Sequence, residues 1–163
     1  MTSDTASATR LRPVGRSVTL IAGLLAGSCG GVAGPAALDP ANDQCAHCRM
    51  AVSDRHFAAQ IAAPGEEPLF FDDIGCLRDY VTAHQTLPPD ALAWVADHRT
   101  TDWVPAAEAI YTRAVNLRTP MNSGLIAHAD RASRDGDRAA AGGHPVPADE
   151  IVGPPSAVPR RGR

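Results

Sequence analysis

Within six consecutive residues, Cys45-Ala46-His47-Cys48-Arg49-Met50, the chain offers two thiols, an imidazole and a thioether. Thiolate and thioether sulfur are soft donors, which select Cu(I), Zn(II) or iron–sulfur clusters over hard cations. Zinc and iron–sulfur sites draw on cysteine and histidine and rarely on methionine, whereas Cu(I) accepts a thioether readily. A C-x-x-C-x-M segment therefore points first to Cu(I). For the C-x-x-C pair alone, a disulfide or half of a zinc knuckle is the competing chemistry.

Further candidate donors lie downstream. Cys76 follows Phe70-Phe71-Asp72-Asp73-Ile74-Gly75 in the first turn of an expected helix, a setting that lowers a thiol pKa and favours thiolate. Its alternative is a small buried hydrophobe. Met121 sits between Thr119-Pro120 and Asn122-Ser123-Gly124, a loop setting in which thioether ligation explains a large apolar side chain better than packing does. Met50 has core packing as its alternative, since methionine fills irregular gaps. His128 lies two helical turns after Met121, so the two share a face if that segment is helical. His47 is inside the motif, while His56, His84, His98 and His144 read as solvent-exposed. These donors exceed what one Cu(I) ion needs, which leaves room for a second, structural ion such as Zn(II) on the thiols.

The elements that must position these donors alternate. His56 to Ala62 and Leu69-Phe70-Phe71 read as a hairpin across the turn cluster Pro64-Gly65-Glu66-Glu67-Pro68. Asp72 or Asp73 can cap a helix from Ile74 to about Gln85, with Leu77, Tyr80, Val81 and His84 at helical spacing. Leu87-Pro88-Pro89 ends it, and Ala93 to Ala96 and Ile110 to Val115 are further strands. Ser123 is expected to cap a helix from Gly124 toward Ala132. The result is a small α+β protein, with two similar ββαβ-like halves as its expected arrangement. No P-loop, G-x-G-x-x-G or nucleophile elbow is present.

Ahead of this domain, Arg10, Arg12 and Arg16 precede an apolar run from Val18 through Ala26, too short to span a bilayer but suited to a secretory signal. Leu24-Leu25-Ala26-Gly27-Ser28-Cys29 resembles a bacterial lipobox, with Ala26 in place of the usual leucine, so Cys29 is the expected lipidation site. The alternative is an ordinary signal peptide with Cys29 as a chance thiol. Residues 1–28 are then a lipoprotein signal, 29–42 a flexible tether, 43–140 the metal-binding domain and 141–163 a mostly disordered tail rich in Ala, Gly, Pro and Arg. Gly30 after the cysteine favours the outer membrane, with the domain facing the periplasm. If Cys29 carries lipid, Cys45, Cys48 and Cys76 remain, an odd number that a disulfide scaffold leaves unpaired. The 163 residues carry a net charge of −3, and all fifteen basic residues are arginine. An acidic body argues against nucleic-acid binding.

Cys45-x-x-Cys48-x-Met50, Phe70-Phe71-Asp72-Asp73-Ile74-Gly75-Cys76 and Thr119-Pro120-Met121 together resemble the NosL family. The resemblance covers roughly Asp43 to Ala132, and weakly Gly142-Gly143-His144 and Asp149-Glu150-Ile151. It implies a copper chaperone, lipid-anchored in the cell envelope, built from two similar α+β halves. Its client would be a cuproenzyme under assembly, nitrous oxide reductase with its assembly factors. Arg49 stands where the family has glycine, so a left-handed turn there must strain or be replaced by another turn. Because no bond-making chemistry on a substrate is implied, the chain reads as a non-enzyme. Two other classes compete: a thiol–disulfide oxidoreductase using Cys45 and Cys48 with Thr119-Pro120 as its proline turn, and a zinc-stabilised module using Cys45, Cys48, Cys76 and one histidine. The anchor is testable directly. Cys29→Ser is expected to move the protein from the detergent-partitioning membrane fraction to the soluble one; unmodified native protein free in the periplasm contradicts it.

Overall fold

A computed structural model of the chain describes residues 34–84 and 87–153. The expected signal segment, Cys29 and residues 154–163 lie outside the described residues. Among the described residues, seven strands make two antiparallel sheets. In the first, β1 (Ala59–Ala62), β2 (Leu69–Phe71), β3 (Leu92–Ala96) and β4 (Trp103–Pro105) are ordered β2-β1-β3-β4. In the second, β5 (Ile110–Arg113), β6 (Leu125–His128) and β7 (His144–Val146) are ordered β6-β5-β7. Helix α1 (Ile74–Ala83) joins β2 to β3, α2 (Arg131–Asp135) lies between β6 and β7, and α3 (Ala148–Val152) follows. The fold is α+β. Each half contains a ββαβ unit, extended by β4 in the first and by α3 in the second. The first strand of each unit lies between its other two strands, β1 in one sheet and β5 in the other.

Helix α1 forms because Asp73 caps it, its carboxylate accepting the Gly75 N–H at 2.7 Å, and because Ile74, Leu77 and Val81 share one buried face. That face packs against α3 and β6. Phe71, Val95, Leu125, Tyr111 and Ile151 complete a core continuous between the sheets. A parallel bridge between Asp97 and Ala127 ties the end of β3 to β6.

Three expectations change. The segment from Gly124 is not a helix: Leu125, Ile126, Ala127 and His128 form a strand with both faces buried. A continuous apolar run of this length has no period that separates strand from helix, and pairing with β5 decides it. The expected tether is docked from Ala36 onward. Gln60, buried in the central strand, exchanges two hydrogen bonds with the Ala36 backbone at 2.7 and 3.1 Å, and Leu38 enters the core. A buried amide needs partners, and the arm supplies them. Lastly, residues 141–153 are ordered rather than a tail. Tyr111 pairs with Val146, and Pro145 is tolerated because β7 is an edge strand. Gly143 is required where the chain enters β7, since a Cβ there would lie 2.5 Å from Thr112 Cγ2.

The docked end is measurable. Ile151, 1% exposed, is expected to cost about 2–5 kcal/mol on substitution by alanine, read as a lowered denaturation midpoint. A loss within about 0.5 kcal/mol, typical of surface substitutions, would instead mark 141–153 as a tail.

Candidate metal centre

The Cys45–Met50 segment is a tight loop closed by an antiparallel bridge between Gln44 and Ala51. The Cys45 N–H donates to the Met50 carbonyl at 2.7 Å and the Arg49 N–H to the Cys45 carbonyl at 2.9 Å. Closing the loop this way puts Arg49 at φ 68°, in the left-handed region. Arginine therefore accepts the turn that glycine adopts freely, at a cost of about 1–2 kcal/mol. The Cys48 N–H points at the Cys45 sulfur from 3.5 Å, which steadies a thiolate there. A parallel bridge between Cys45 and Phe70, with the Ala46 N–H donating to the Phe70 carbonyl at 2.8 Å, seats the loop on the edge of β2.

Seating the loop there brings it to the start of α1. Donor atoms of Cys45, Cys48, Asp72 and Cys76 all lie within 4.8 Å of one another, a group able to hold a metal ion. All three thiols are free. Cys45, Asp72 and Cys76 are buried, and Cys48 stands at the partly exposed edge. The Cys48 thiol donates to Asp72 Oδ1 at 3.3 Å.

These contacts split the thiols electrostatically. A hydrogen bond from the Cys76 thiol brings Cys45 down to about 6, against an ordinary 9.0. Burial pushes Cys48 up to about 11. Donating to Cys45, together with burial and the nearby negative charge, raises Cys76 further. At neutral pH the group holds one thiolate supported by two protonated neighbours. The expected lowering of the Cys76 pKa by the helix start is thus overridden: Cys76 serves the thiolate of Cys45 and keeps its own proton.

The loop carrying Met121 is fastened to the same place by Asp73. Its Oδ2 accepts from Thr119 Oγ1 at 2.5 Å and from the Met121 N–H at 2.9 Å, while Oδ1 accepts from Ser123 Oγ at 2.5 Å as well as from Gly75. Gly75 is essential to this approach, because a Cβ there would sit 2.7 Å from Ser123 Cβ. Met50 and Met121 are 53% and 44% exposed, so neither is a core residue, and the packing alternative for both fails. His47 is exposed. His128 ends β6 and belongs to a separate group with His98 and Asp137, not on a helical face with Met121. His98, expected to be exposed, donates to Asp137 at 2.6 Å.

Asp72 is the member that sequence reasoning missed. Its signal is the Asp-Asp doublet before the helix: one carboxylate caps, which frees the other to face the thiols. Asp72 also takes the fourth place that the zinc-module reading reserved for a histidine. The oxidoreductase reading fits less well. The thiols sit in a turn and open no helix, and the Thr119 hydroxyl is committed to Asp73.

The sequence profile of the NosL family matches residues 35–154. Comparison with curated proteins and with solved structures gave no match. The matched span contains every donor named above, the docked arm and the ordered C-terminal segment.

The unequal thiols predict the titration of the reduced, metal-free protein followed by thiolate ultraviolet absorbance. Of Cys45, Cys48 and Cys76, one is expected to form a thiolate near pH 6 and neither of the others below pH 9, following the directions of their shifts. Cys76→Ala removes the donor and should return the first step toward the ordinary value, while Cys76→Ser should largely keep it. Three thiols titrating together near 9 contradict this arrangement.

Proposed function

The chain belongs to the NosL family, a family of copper-related accessory proteins, and from that membership and its sulfur-rich group we propose that it binds Cu(I) and hands it to a cuproenzyme under assembly. The observation that carries the reading is the convergence of three thiols beside surface loops that bear exposed methionines. Soft Cu(I) matches soft sulfur. The Cys45 thiolate supplies charge at neutral pH, so the ion meets a formed ligand. A second thiolate forms as the ion enters and releases its proton to solvent. Cys48 is the accessible thiol, hence the point at which an acceptor's ligand can enter while a protein ligand leaves. Thioethers carry no proton, so Met50 and Met121 bind or release the ion without a pH requirement. Transfer is ligand exchange, with no substrate bond made or broken, which makes the protein a carrier and not an enzyme.

Nitrous oxide reductase, with its assembly factors, is the client this reading favours. Lipidation at Cys29 would hold the carrier in the cell envelope, facing the periplasm and on the outer membrane. A resident Zn(II) on the thiols is the second reading. The carboxylate of Asp72 supports it, because Cys3Asp is a set that zinc accepts.

The methionines discriminate between the two. Met50→Leu and Met121→Leu conserve volume and should cost less than about 1.5 kcal/mol of stability. Each is expected to lower Cu(I) affinity in competition with a colorimetric chelator and to leave Zn(II) affinity unchanged, Met121→Leu having the larger effect. Acidification through pH 6 should weaken Cu(I) binding, because Cys45 is protonated below its pKa of about 6. Unchanged Cu(I) affinity in the double variant moves the assignment to zinc, and robust insulin reductase activity without copper retention restores the oxidoreductase.

A further inference from the structure

The second donor group joins the two halves of the fold. His98 follows β3 in the first sheet, His128 ends β6 in the second, and Asp137 caps the short turn Arg138–Ala140 that leads to β7. His98 Nδ1 and His128 Nε2 lie 2.6 and 2.9 Å from the same oxygen, Asp137 Oδ2. A carboxylate only accepts, so both ring nitrogens carry their protons toward it in the metal-free state. The other carboxylate oxygen is occupied by the Ala139 N–H at 2.8 Å.

The frame around these side chains is fixed without any ion. The His98 N–H donates to the Ala127 carbonyl at 2.8 Å. Asp97, buried beside it, accepts from Arg99, Thr100 and Ala129 N–H groups and from Ser133 Oγ. This places His98 against the end of β6 with little freedom, the preorganisation that a metal site requires. Two features exceed what a structural hydrogen bond needs. His128 is completely buried, yet its Nδ1 has no partner among the described residues. An apolar residue at 128 would fill the strand end without burying that nitrogen. Moreover, two imidazoles converge on one oxygen where a single donor would satisfy it.

We propose that His98, His128 and Asp137 form a second metal site, distinct from the sulfur group, which takes a borderline divalent cation such as Zn(II) and clamps the two halves of the fold together. Imidazole and carboxylate suit zinc and offer Cu(I) none of the sulfur of the first group. Three protein ligands leave a fourth position for water. On binding, the ion replaces the two hydrogens directed at Asp137. Each ring keeps one proton, now on its opposite nitrogen, and the carboxylate stays ionised. No net proton is released and no redox step is involved.

The test is Zn(II) titration of the full chain, comparing wild type, Cys48→Ser and His98→Gln. Glutamine retains an N–H donor for Asp137, and His98 is at the partly exposed side of the group, so the fold should survive. In Cys48→Ser, one Zn(II) equivalent and a Zn(II)-dependent rise in melting temperature are expected to persist. In His98→Gln, that equivalent should weaken by more than the roughly 10–100-fold that losing an outer-shell partner costs, and its share of the melting shift should disappear. Co(II) in the same site should give visible d–d bands without thiolate charge transfer. Should His98→Gln fail to fold, nitrogen NMR of the wild type gives the answer, with Zn(II) expected to shift His98 Nδ1 and His128 Nε2. Unaltered stoichiometry and melting shift in His98→Gln, or unmoved ring nitrogens, would reduce the group to a structural hydrogen-bond cluster.

Discussion

The carboxylate of Asp73 takes four hydrogen bonds, from the Gly75 and Met121 backbones and from the Thr119 and Ser123 hydroxyls, and it is fully buried while doing so. A buried carboxylate is tolerable only when its oxygens are this well supplied. By meeting that requirement, the chain fixes the N-terminus of α1 and the loop of Met121 in one place. Asp72 is then directed toward the sulfur loop and Cys76 is set one turn into the helix. Gly75 follows from the same constraint, since nothing larger fits between the helix and Ser123. The Phe70-Phe71-Asp72-Asp73-Ile74-Gly75-Cys76 stretch thus reads as one device: two strand residues, a carboxylate facing the thiols, a cap and anchor, a core residue, a gap and a thiol.

Around that device, charge is distributed with economy. Three sulfur atoms and a carboxylate in contact would repel strongly if all were ionised, and burial amplifies the repulsion. The group limits this by ionising Cys45 alone among the thiols and keeping the protons of Cys76 and Cys48 as donors. A monovalent soft cation entering such a group meets a single formed thiolate, which suits the proposed carrier role better than a fully ionised trap from which the ion could not leave. Arg49 adds a local oddity. The loop geometry is strong enough to hold it in the left-handed region, so the bridge at Gln44 and Ala51 and the loop hydrogen bonds set the turn whatever the side chain.

Much of this was legible in the chain itself. The candidate sulfur donors, the first hairpin, α1 with its aspartate cap and the ββαβ order follow from donor softness, turn residues and helical spacing. What escaped had physical reasons. The strand of Leu125 to His128 has no periodicity because both its faces are buried, so only its pairing with β5 distinguishes it from a helix. The docking of Ala36 depends on Gln60, a polar residue whose burial is invisible locally. The ordered end depends on Ile151 and Val152 reaching α1, a long-range contact that Gly- and Pro-rich composition disguised. The grouping of His98 with His128 and Asp137 is likewise created by the bridge between the two halves, and no spacing in sequence announces it.

The central claim is that copper sits among the sulfur atoms at the start of α1. X-ray absorption spectroscopy of the full chain carrying one equivalent of Cu(I) tests it most directly, because it identifies the atoms bound to the metal. The account predicts sulfur as the nearest neighbour, without the outer scattering pattern of imidazole, and loss of that signal when Cys45 and Cys48 are replaced by serine. Copper surrounded by imidazole nitrogen, or a spectrum unchanged by the double replacement, would contradict it.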